Sequence, residues 1–469
     1  MVNKELLNIL KNNNITPVLV GGYVRDKLIN PSIQPKDIDI ELYTTNSYDE
    51  LVKVLNKYNP KIVGKHFGVI KIDIGEDEFD LSLPRTEKSI GDRHTDYEVI
   101  ADGTLSYDIA FKRRDFTINA IGIDLTNDNL IDIYNGQDDI KNKIIRHVDN
   151  KTFVEDPLRI FRAIQFAARF NFEIATETKE LIHNMIKNNL LDNLPKERVF
   201  TEFNKLLTKS SKPSIGFELM REFRILERYF PELHNLIDTP QEKKWHPEGD
   251  VWIHTMMSID EMANLKLINI DNKLLYMYAV LCHDLGKPMF TKILENGYIT
   301  SSGHEKGGIE PTIMFMNKLT NDKKLIQQIT KLVELHLRPS LLYTANSKEN
   351  AIKRLSNDLI DVNLTIIDLA IINLADSLGR TTKDALERNT PQYKWLINKF
   401  NSMNLTIKES PLIVGKDLIN LGYKPGPDFK KILNECYNYQ IEYSIKEKDV
   451  MLEELDNILE SNLEVSEIS

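Results

Sequence analysis

Cysteine is almost absent: the chain of 469 residues has two, Cys282 and Cys436. Two thiols so far apart exclude a disulfide framework and a cysteine-rich zinc site, and they fit a reducing compartment. Long apolar runs are missing as well. None approaches the roughly 20 residues that a membrane helix needs. The first residues, Met-Val-Asn-Lys-Glu-Leu-Leu, carry no secretory hydrophobic segment. The expectation is a cytoplasmic protein with no membrane partner. An excess of positive charge is lacking too, since 60 Lys and Arg against 70 Asp and Glu leave a formal net charge of −10. That argues against nucleic acid only on average. Screening confines a charge's field to about 8–10 Å at physiological salt, so local patches decide. There is no internal repeat and no low-complexity stretch.

What is present is an ordinary globular composition, 41% hydrophobic and 28% charged, in a length that suggests about three domains. Residues 1–150 read as α/β. A helix-like stretch at 3–13 precedes an apolar strand at Val18–Val20. Alternation marks a strand within 62–75, and further strands are expected at Glu78–Leu83 and Ala120–Leu125. Residues 85–107 are polar and turn-rich and read as a long loop. From about 151 onward apolar residues recur at three and four, as in helices. Breaks fall at 208–214 and 239–250, where Pro, Gly, Ser and charge cluster.

Three stretches carry chemistry. In the first, Val18-Leu19-Val20 runs into Gly21-Gly22, with Arg25 and Asp26 one turn later and Asp37-Ile38-Asp39 beyond a Pro-bearing loop. Strand alternation puts Asp37 and Asp39 on one face and Ile38 and Ile40 on the other. Such a pair either holds a divalent metal, Mg²⁺ or Mn²⁺, beside substrate phosphates or lies in solvent at a loop edge. The preceding Gly-Gly turn, which lets phosphate approach the backbone, favours the metal. In the second, Lys112-Arg113-Arg114-Asp115 precedes a buried-looking Phe116-Thr117-Ile118-Asn119-Ala120 helix. Guanidinium forks suit triphosphate oxygens and Asp115 can accept from ribose hydroxyls, although a surface charge cluster has the same composition. In the third, Glu155-Asp156-Pro157-Leu158-Arg159-Ile160-Phe161-Arg162 opens a helix, with Pro157 in its first turn. Asp156 and Arg159 share a face one turn apart, with Leu158, Phe161 and Ala168 on the core side. The two either present donors and acceptors to the edge of a base or form an ordinary ion pair.

Taken in order, Gly21-Gly22-Tyr23-Val24-Arg25-Asp26, Asp37-Ile38-Asp39, Arg113-Arg114-Asp115-Phe116-Thr117-Ile118-Asn119-Ala120, the Glu155–Ala163 motif and Glu197-Arg198 resemble the bacterial CCA-adding tRNA nucleotidyltransferase and poly(A) polymerase family, class II of the DNA polymerase β-like superfamily. Val414-Gly415-Lys416-Asp417-Leu418 and Gly422–Pro427 are similar to that family's tail, so the resemblance spans most of the chain. It implies an α+β protein, with a polymerase-β-like nucleotidyltransferase head (mixed sheet with helices) followed by an all-α body. The implied divisions are a head at 1–150, a helical neck at 151–240, an HD domain at 241–380 and a helical tail at 381–469. Asp37 and Asp39 would hold Mg²⁺, with Asp80 as a third carboxylate, for attack of an RNA 3′-hydroxyl on the α-phosphate. Gly21, Gly22 and Arg25 would contact the triphosphate, and Arg113, Arg114, Asp115 and Asn119 the phosphates and ribose. Asp156 and Arg159, with Arg162 alongside, would select C and then A. Glu155 would position Arg159, and Glu197 with Arg198 would support that helix. The implied partners are the tRNA acceptor end, CTP and ATP, with no DNA expected. Lys196, Arg198, Lys205, Lys209 and Lys212 form one candidate strip for the RNA backbone. Family members that add only C have lost the loop at 85–110, and its presence here favours addition of the final A. The alternatives are an A-adding enzyme, a poly(A) polymerase, and an HD or RNA-binding protein with an inactive head. The acidic end (Glu453, Glu454, Glu460, Glu464, Glu467) argues against the poly(A) polymerase, and the intact Asp37/Asp39 pair against the inactive head.

A second chemistry is expected further on. His283-Asp284 follows an apolar run, with His254 before it and Asp376 about 90 residues later, a pattern that resembles the HD phosphohydrolase fold. His254, His283, Asp284 and Asp376 are the candidate metal ligands. His304 and His336 would hold a second metal or bind phosphate. Imidazoles with carboxylates suit Mn²⁺, Ni²⁺, Fe²⁺ or Mg²⁺ more than structural zinc. The implied activity is a phosphohydrolase acting on 2′,3′-cyclic or 2′-phosphates; an HD region kept only as an RNA-binding scaffold is the alternative.

Overall fold

A computed structural model of the chain describes residues 3–33, 37–63, 69–75, 77–89, 97–266, 272–426, 428–455 and 457–458. It divides into two compact units, Met1–Arg228 and Tyr229–Ser469. The first is a mixed sheet with helices and the second is almost wholly helical.

In the first unit the strands, in chain order, are β1 (Thr16–Val20), β2 (Asp37–Tyr43), β3 (Lys61–Val63), β4 (Val69–Ile74), β5 (Asp77–Ser82), β6 (Arg85–Ser89), β7 (Tyr97–Ala101), β8 (Gly122–Asp124) and β9 (Asn129–Ile131), followed by a short parallel pair, β10 (Ile144–Ile145) with β11 (Glu173–Ile174). Seven form one sheet in the order β3-β4-β5-β2-β1-β8-β9. Its pairs are antiparallel except β2 with β5, whose parallel register sets Asp37 opposite Glu78 and Asp39 opposite Asp80. The expected strand at Glu78–Leu83 is therefore β5, and that at Ala120–Leu125 is β8. Alternation works as expected on β2: Ile38, Ile40 and Leu42 are buried in a core with Leu6, Leu10, Phe79 and Leu81, while Asp39 is exposed. Full burial of each such aliphatic side chain contributes about 1.5–3 kcal/mol. On β1, Leu19 joins this core, whereas Val18 and Val20 pack on the other side with Ala110, Phe111 and Ala120. The strand thus separates two cores, and its C-terminal end is held on both faces.

Two expectations are corrected. Residues 85–107 are not simply a loop, because β6 and β7 pair antiparallel from Arg85–Ala101 to Ser89–Tyr97; residues 90–96 lie outside the described residues. The Phe-Thr-Ile-Asn-Ala segment is one 3-10 turn, Thr117–Asn119, rather than a helix. The helix at Leu158–Phe170 forms as read. Leu158, Phe161, Ile164 and Ala168 are buried, and Asn171 ends the helix in the left-handed region at φ 55°. It packs on the Lys196–Lys209 helix, where Phe161 meets Phe203 at 6.0 Å between ring centroids.

The second unit is built around the Lys273–Cys282 helix, in which every residue from Leu275 to Cys282 is buried. A helix apolar on all sides must be surrounded. The Val251–Asn264, Lys323–Leu335 and Ile366–Leu378 helices pack against it. Short ladders at 292–293 with 299–300 are the unit's strands among the described residues. Both cysteines are buried and unpaired. Among the described residues no helix is long and apolar enough to cross a membrane.

Candidate active sites

The first site lies where β1 turns into the Gly22–Ile29 helix. Gly21 caps that helix at φ 72° and ψ −136°, a backbone state that side chains rarely adopt. A Cβ there would sit 3.5 Å from Asp39 Oδ2 and 3.5 Å from Arg114 Nη1. The turn, the exposed β2 carboxylate and one arginine of the Arg-Arg-Asp segment therefore meet. Asp80 stands beside Asp39 in register, and the β4 residue Lys71 bridges Asp80 at 3.0 Å and Glu78 at 2.9 Å. Asp37 keeps its place in β2, but its side chain lies outside what is described.

The two arginines converge on a residue to which the sequence reading gave no role. Glu41, two residues beyond Asp39 and 1% exposed, accepts from Arg113 Nη2 at 3.0 Å, Arg114 Nη2 at 2.8 Å and the Tyr43 hydroxyl at 3.1 Å. Burial opposes its charge, but Arg114 and Arg113 outweigh burial and hold it below the usual carboxylate range. The alternation that pairs Asp37 with Asp39 continues to Glu41, and that was the available signal.

Behind them a buried polar chain joins three elements. Arg25, 5% exposed, holds Asp26 through Nε at 2.8 Å and Asn119 Oδ1 through Nη1 at 2.6 Å, while its guanidinium lies 4.9 Å from the Phe166 ring centroid and 5.0 Å from that of Phe170. Asn119 Nδ2 donates to Asp115 at 2.8 Å, and Arg162 Nε donates to the other oxygen of Asp115 at 2.7 Å. Burial works against the Asp115 charge, yet Arg162, Asn119 and Arg159 lower its pKa to about 2. Arg162 in turn faces the buried Glu202 at 3.8 Å, and Arg169 reaches Asp26 at 2.9 Å. Arg25 and Asp115, expected to touch triphosphate and ribose, spend these contacts inside the protein as connectors.

Asp156 and Arg159 do not pair with each other. Asp156 accepts from Arg198 Nη2 at 2.9 Å, whereas Arg159 donates to the carbonyls of Thr152 at 2.8 Å and Arg113 at 2.6 Å. The ion-pair alternative is thereby removed, and Arg198 holds Asp156. Glu155 and Glu197 are exposed. Of the lysine strip, Lys205 is held by Glu202 at 2.8 Å, while Lys209 and Lys212 are exposed.

The second unit brings together all six residues expected there, each buried: His254, His283, Asp284, His304, His336 and Asp376. Local geometry explains their order. Gly286, two residues after Asp284, leaves room for the His304 carbonyl, which would lie 2.1 Å from a Cβ. His283, His304 and His336 each donate Nδ1–H to the carbonyl three residues back, at 2.7, 2.8 and 2.6 Å. A carbonyl only accepts, so each of these rings, when neutral, carries its lone pair on Nε2. These Nε2 atoms face one another and Asp284. His254 lies 3.3 Å from His283, and His304 lies 3.3 Å from His336. Asp284 Oδ2 is 3.2 Å from His283, and Oδ1 is 3.2 Å from His304. Burial, with the charges of His304 and His283, pushes His336 down to about 3. Lone pairs turned on lone pairs and on a carboxylate suit a cation between them, and the mixed N/O set fits divalent first-row metals. Lys287 Nζ at 2.7 Å from Asp284 and Arg380 Nη2 at 2.7 Å from Asp376 supply part of that charge. Lys287, Arg380, His246 and Glu248 were missed. The first two stand three residues after Asp284 and four after Asp376, one helical turn each; the other two precede His254 with no readable period.

The chain is similar to known proteins over most of its length. The model of the Poly A polymerase head domain matches residues 18–146, and that of a probable RNA and SrmB-binding site of polymerase A matches residues 171–237. A multifunctional CCA protein of Pseudoalteromonas atlantica is 32% identical over 422 residues, which cover 89% of this chain and 96% of that protein. One of Psychromonas ingrahamii is 38% identical over 297 residues, covering 62% of this chain and 67% of that protein. Among solved structures, a Bacillus stearothermophilus CCA-adding enzyme in complex with CTP covers 99% of this chain and 98% of its own, at TM-score 0.65 and 20% identity. A tRNA nucleotidyltransferase complexed with a primer tRNA and an incoming ATP analog covers 85% and 99%, at TM-score 0.56 and 21% identity. These two likenesses show a common fold.

Proposed function

The chain belongs to the family of the multifunctional CCA proteins, and we propose that it adds C and A nucleotides to the 3′ end of tRNA from CTP and ATP, without a nucleic-acid template. The terminal 3′-hydroxyl of the RNA forms a bond to the α-phosphorus, the bond to the β-phosphate oxygen breaks, and pyrophosphate leaves. The observation that carries this reading is the meeting of Gly21, Asp39 and Arg114, with Asp80 in register beside Asp39. Mg²⁺ held by Asp37 and Asp39, with Asp80 near, would favour the hydroxyl's ionised form and offset charge on the phosphates. Gly21 and Gly22 admit the triphosphate to the start of the helix, and Arg113 and Arg114 face it from their seat on Glu41. Arg25, Asn119, Asp115 and Arg162 hold that helix against the Leu158–Phe170 helix; Asp156, just ahead of it, and Arg159, in its first turn, select the base. The acceptor stem is held by shape and phosphate contacts, with Lys209 and Lys212 as free-standing candidates. The site of action is the cytoplasm.

The assay supplies tRNAs ending before, within and after CCA with CTP, ATP or both. Full CCA addition gives two added residues with CTP alone and three with both. Growth with ATP of a tRNA ending in CC, without growth with CTP of a tRNA lacking both C residues, would point to the A-adding alternative, runs of A on any end to the polyadenylating one, and no growth to an inactive head.

A second activity is favoured by the four imidazoles around Asp284. His254, His283, Asp284 and Asp376 would hold one divalent metal, with Asp284, His304 and His336 near a second, of the Mn²⁺, Ni²⁺, Fe²⁺ or Mg²⁺ group. Such metals supply Lewis acidity for hydrolysis of a phosphate ester, of the 2′,3′-cyclic or 2′-phosphate kind. Lys287 and Arg380 orient the carboxylates and balance their charge.

A further inference from the structure

The loop leading into the Val251–Asn264 helix holds a buried carboxylate that the phosphohydrolase reading leaves without a role. Glu248 has a side chain 1% exposed, and its Oε1 accepts from two imidazoles, His246 Nδ1 at 2.9 Å and His254 Nδ1 at 3.0 Å. Oε2 accepts from the Thr381 backbone N–H at 3.2 Å. The rings of His246 and His254 meet edge to face, 4.6 Å between centroids and 75° apart. His254 Nδ1 also lies 3.1 Å from the Gly379 carbonyl. With two acceptors on it, that nitrogen carries the hydrogen, and Nε2 turns its lone pair toward Asp376 at 3.1 Å and His283 at 3.3 Å. His283, His304 and His336 reach the same tautomer on a neutral carbonyl. Among these four, His254 is the one that rests on an anion. A carboxylate behind an imidazole fixes the ring and makes its far nitrogen a stronger donor.

We propose that Glu248 is a positioning residue of this centre, aiming His254 and strengthening it as a ligand, and that His246 fixes Glu248 in turn. The divalent metal at His254, His283, Asp284 and Asp376 is then bound more tightly than the one at Asp284, His304 and His336. The proposal rests on the two-metal reading above.

The test titrates Co²⁺ into the full chain after removal of metal, with Mg²⁺ in excess to fill the oxygen-only carboxylates of the head. Visible absorption reports Co²⁺ bound by imidazole. The unaltered protein takes up two ions per chain in a tight and a weaker class. Glu248→Gln weakens the tight class about 10–100-fold and leaves the weaker class within about threefold, with CCA addition unchanged. A Glu248→Gln titration like that of the unaltered protein overturns the proposal, as does an equal loss from both classes, which is what damage to the fold would give. An unaltered protein that takes up no imidazole-bound Co²⁺ overturns the two-metal reading with it. Should Glu248→Gln not fold, His246→Phe decides, because it keeps a ring in place and removes the Nδ1 donor that holds Glu248. A several-fold loss confined to the tight class supports the proposal, and an unchanged tight class overturns it.

Discussion

The two sites solve opposite problems with similar residues. In the head, Asp39 stands exposed on a strand, and the cations near it are set by a carboxylate kept underneath, Glu41. In the second unit all six candidate ligands are buried, and their hydrogen bonds run outward to backbone carbonyls so that the lone pairs turn inward. An open carboxylate site suits a metal that arrives with a triphosphate and leaves with pyrophosphate. A closed imidazole site suits a metal that stays. The difference teaches where burial matters: it sets the scaffold of the first site and the ligands of the second.

The comparison can be broken at several points. Asp39→Ala removes the exposed acid, and CCA addition is expected to fall by ~10³-fold or more, the worth of about 4 kcal/mol of charge stabilisation. Phosphate release from a 2′-phosphate, or ring opening of a 2′,3′-cyclic nucleotide to its monophosphate, measured on the same preparation, stays within about twofold. Glu41→Gln leaves Arg113 and Arg114 in place by shape but without their anchor. The KM for CTP and ATP rises on the order of tenfold with a smaller change in kcat, as expected when charge-assisted hydrogen bonds of ~1.5–3 kcal/mol are lost; a purely structural residue would lower the melting temperature and leave KM alone.

Asp115 sharpens the same contrast through pH. Its folded pKa is about 2, against about 3.9 for an unfolded Asp. A depressed pKa stabilises the fold fully above the unfolded value, and that contribution is lost as pH falls from about 4 through 2. Urea unfolding across this window is expected to lose on the order of 2 kcal/mol through this group, and Asp115→Asn should flatten that part of the profile. The smallest effect is expected on the surface. Lys209→Ala lowers tRNA affinity about twofold and reduces the salt dependence of binding by less than one ion.

Much of this was readable from the residues, for physical reasons. The period of two on Ile38, Ile40 and Leu42, and the three-and-four spacing of Leu158, Phe161 and Ala168, report one buried face each. β6 and β7 were not readable, because Arg-Thr-Glu-Lys-Ser and Tyr-Glu-Val-Ile-Ala lack a shared apolar alternation. The Lys273–Cys282 helix is apolar all round and shows no face at all. Positions on one strand or one turn, such as Asp37 and Asp39, declare their neighbours. Glu248 with His254 and Thr381, or Arg25 with Asn119, are joined only by tertiary structure. The internal partners of Arg25 and Asp115 were likewise not readable, because composition shows a residue's charge and not what it is bonded to.

The most direct measurement is made on His283→Ala, assayed for CCA addition to tRNA and for metal-dependent phosphate release from the same preparation. Two separate sites predict unchanged CCA addition and loss of phosphate release. Phosphate release that persists at the unaltered rate, or a fall in both activities together, would contradict the account.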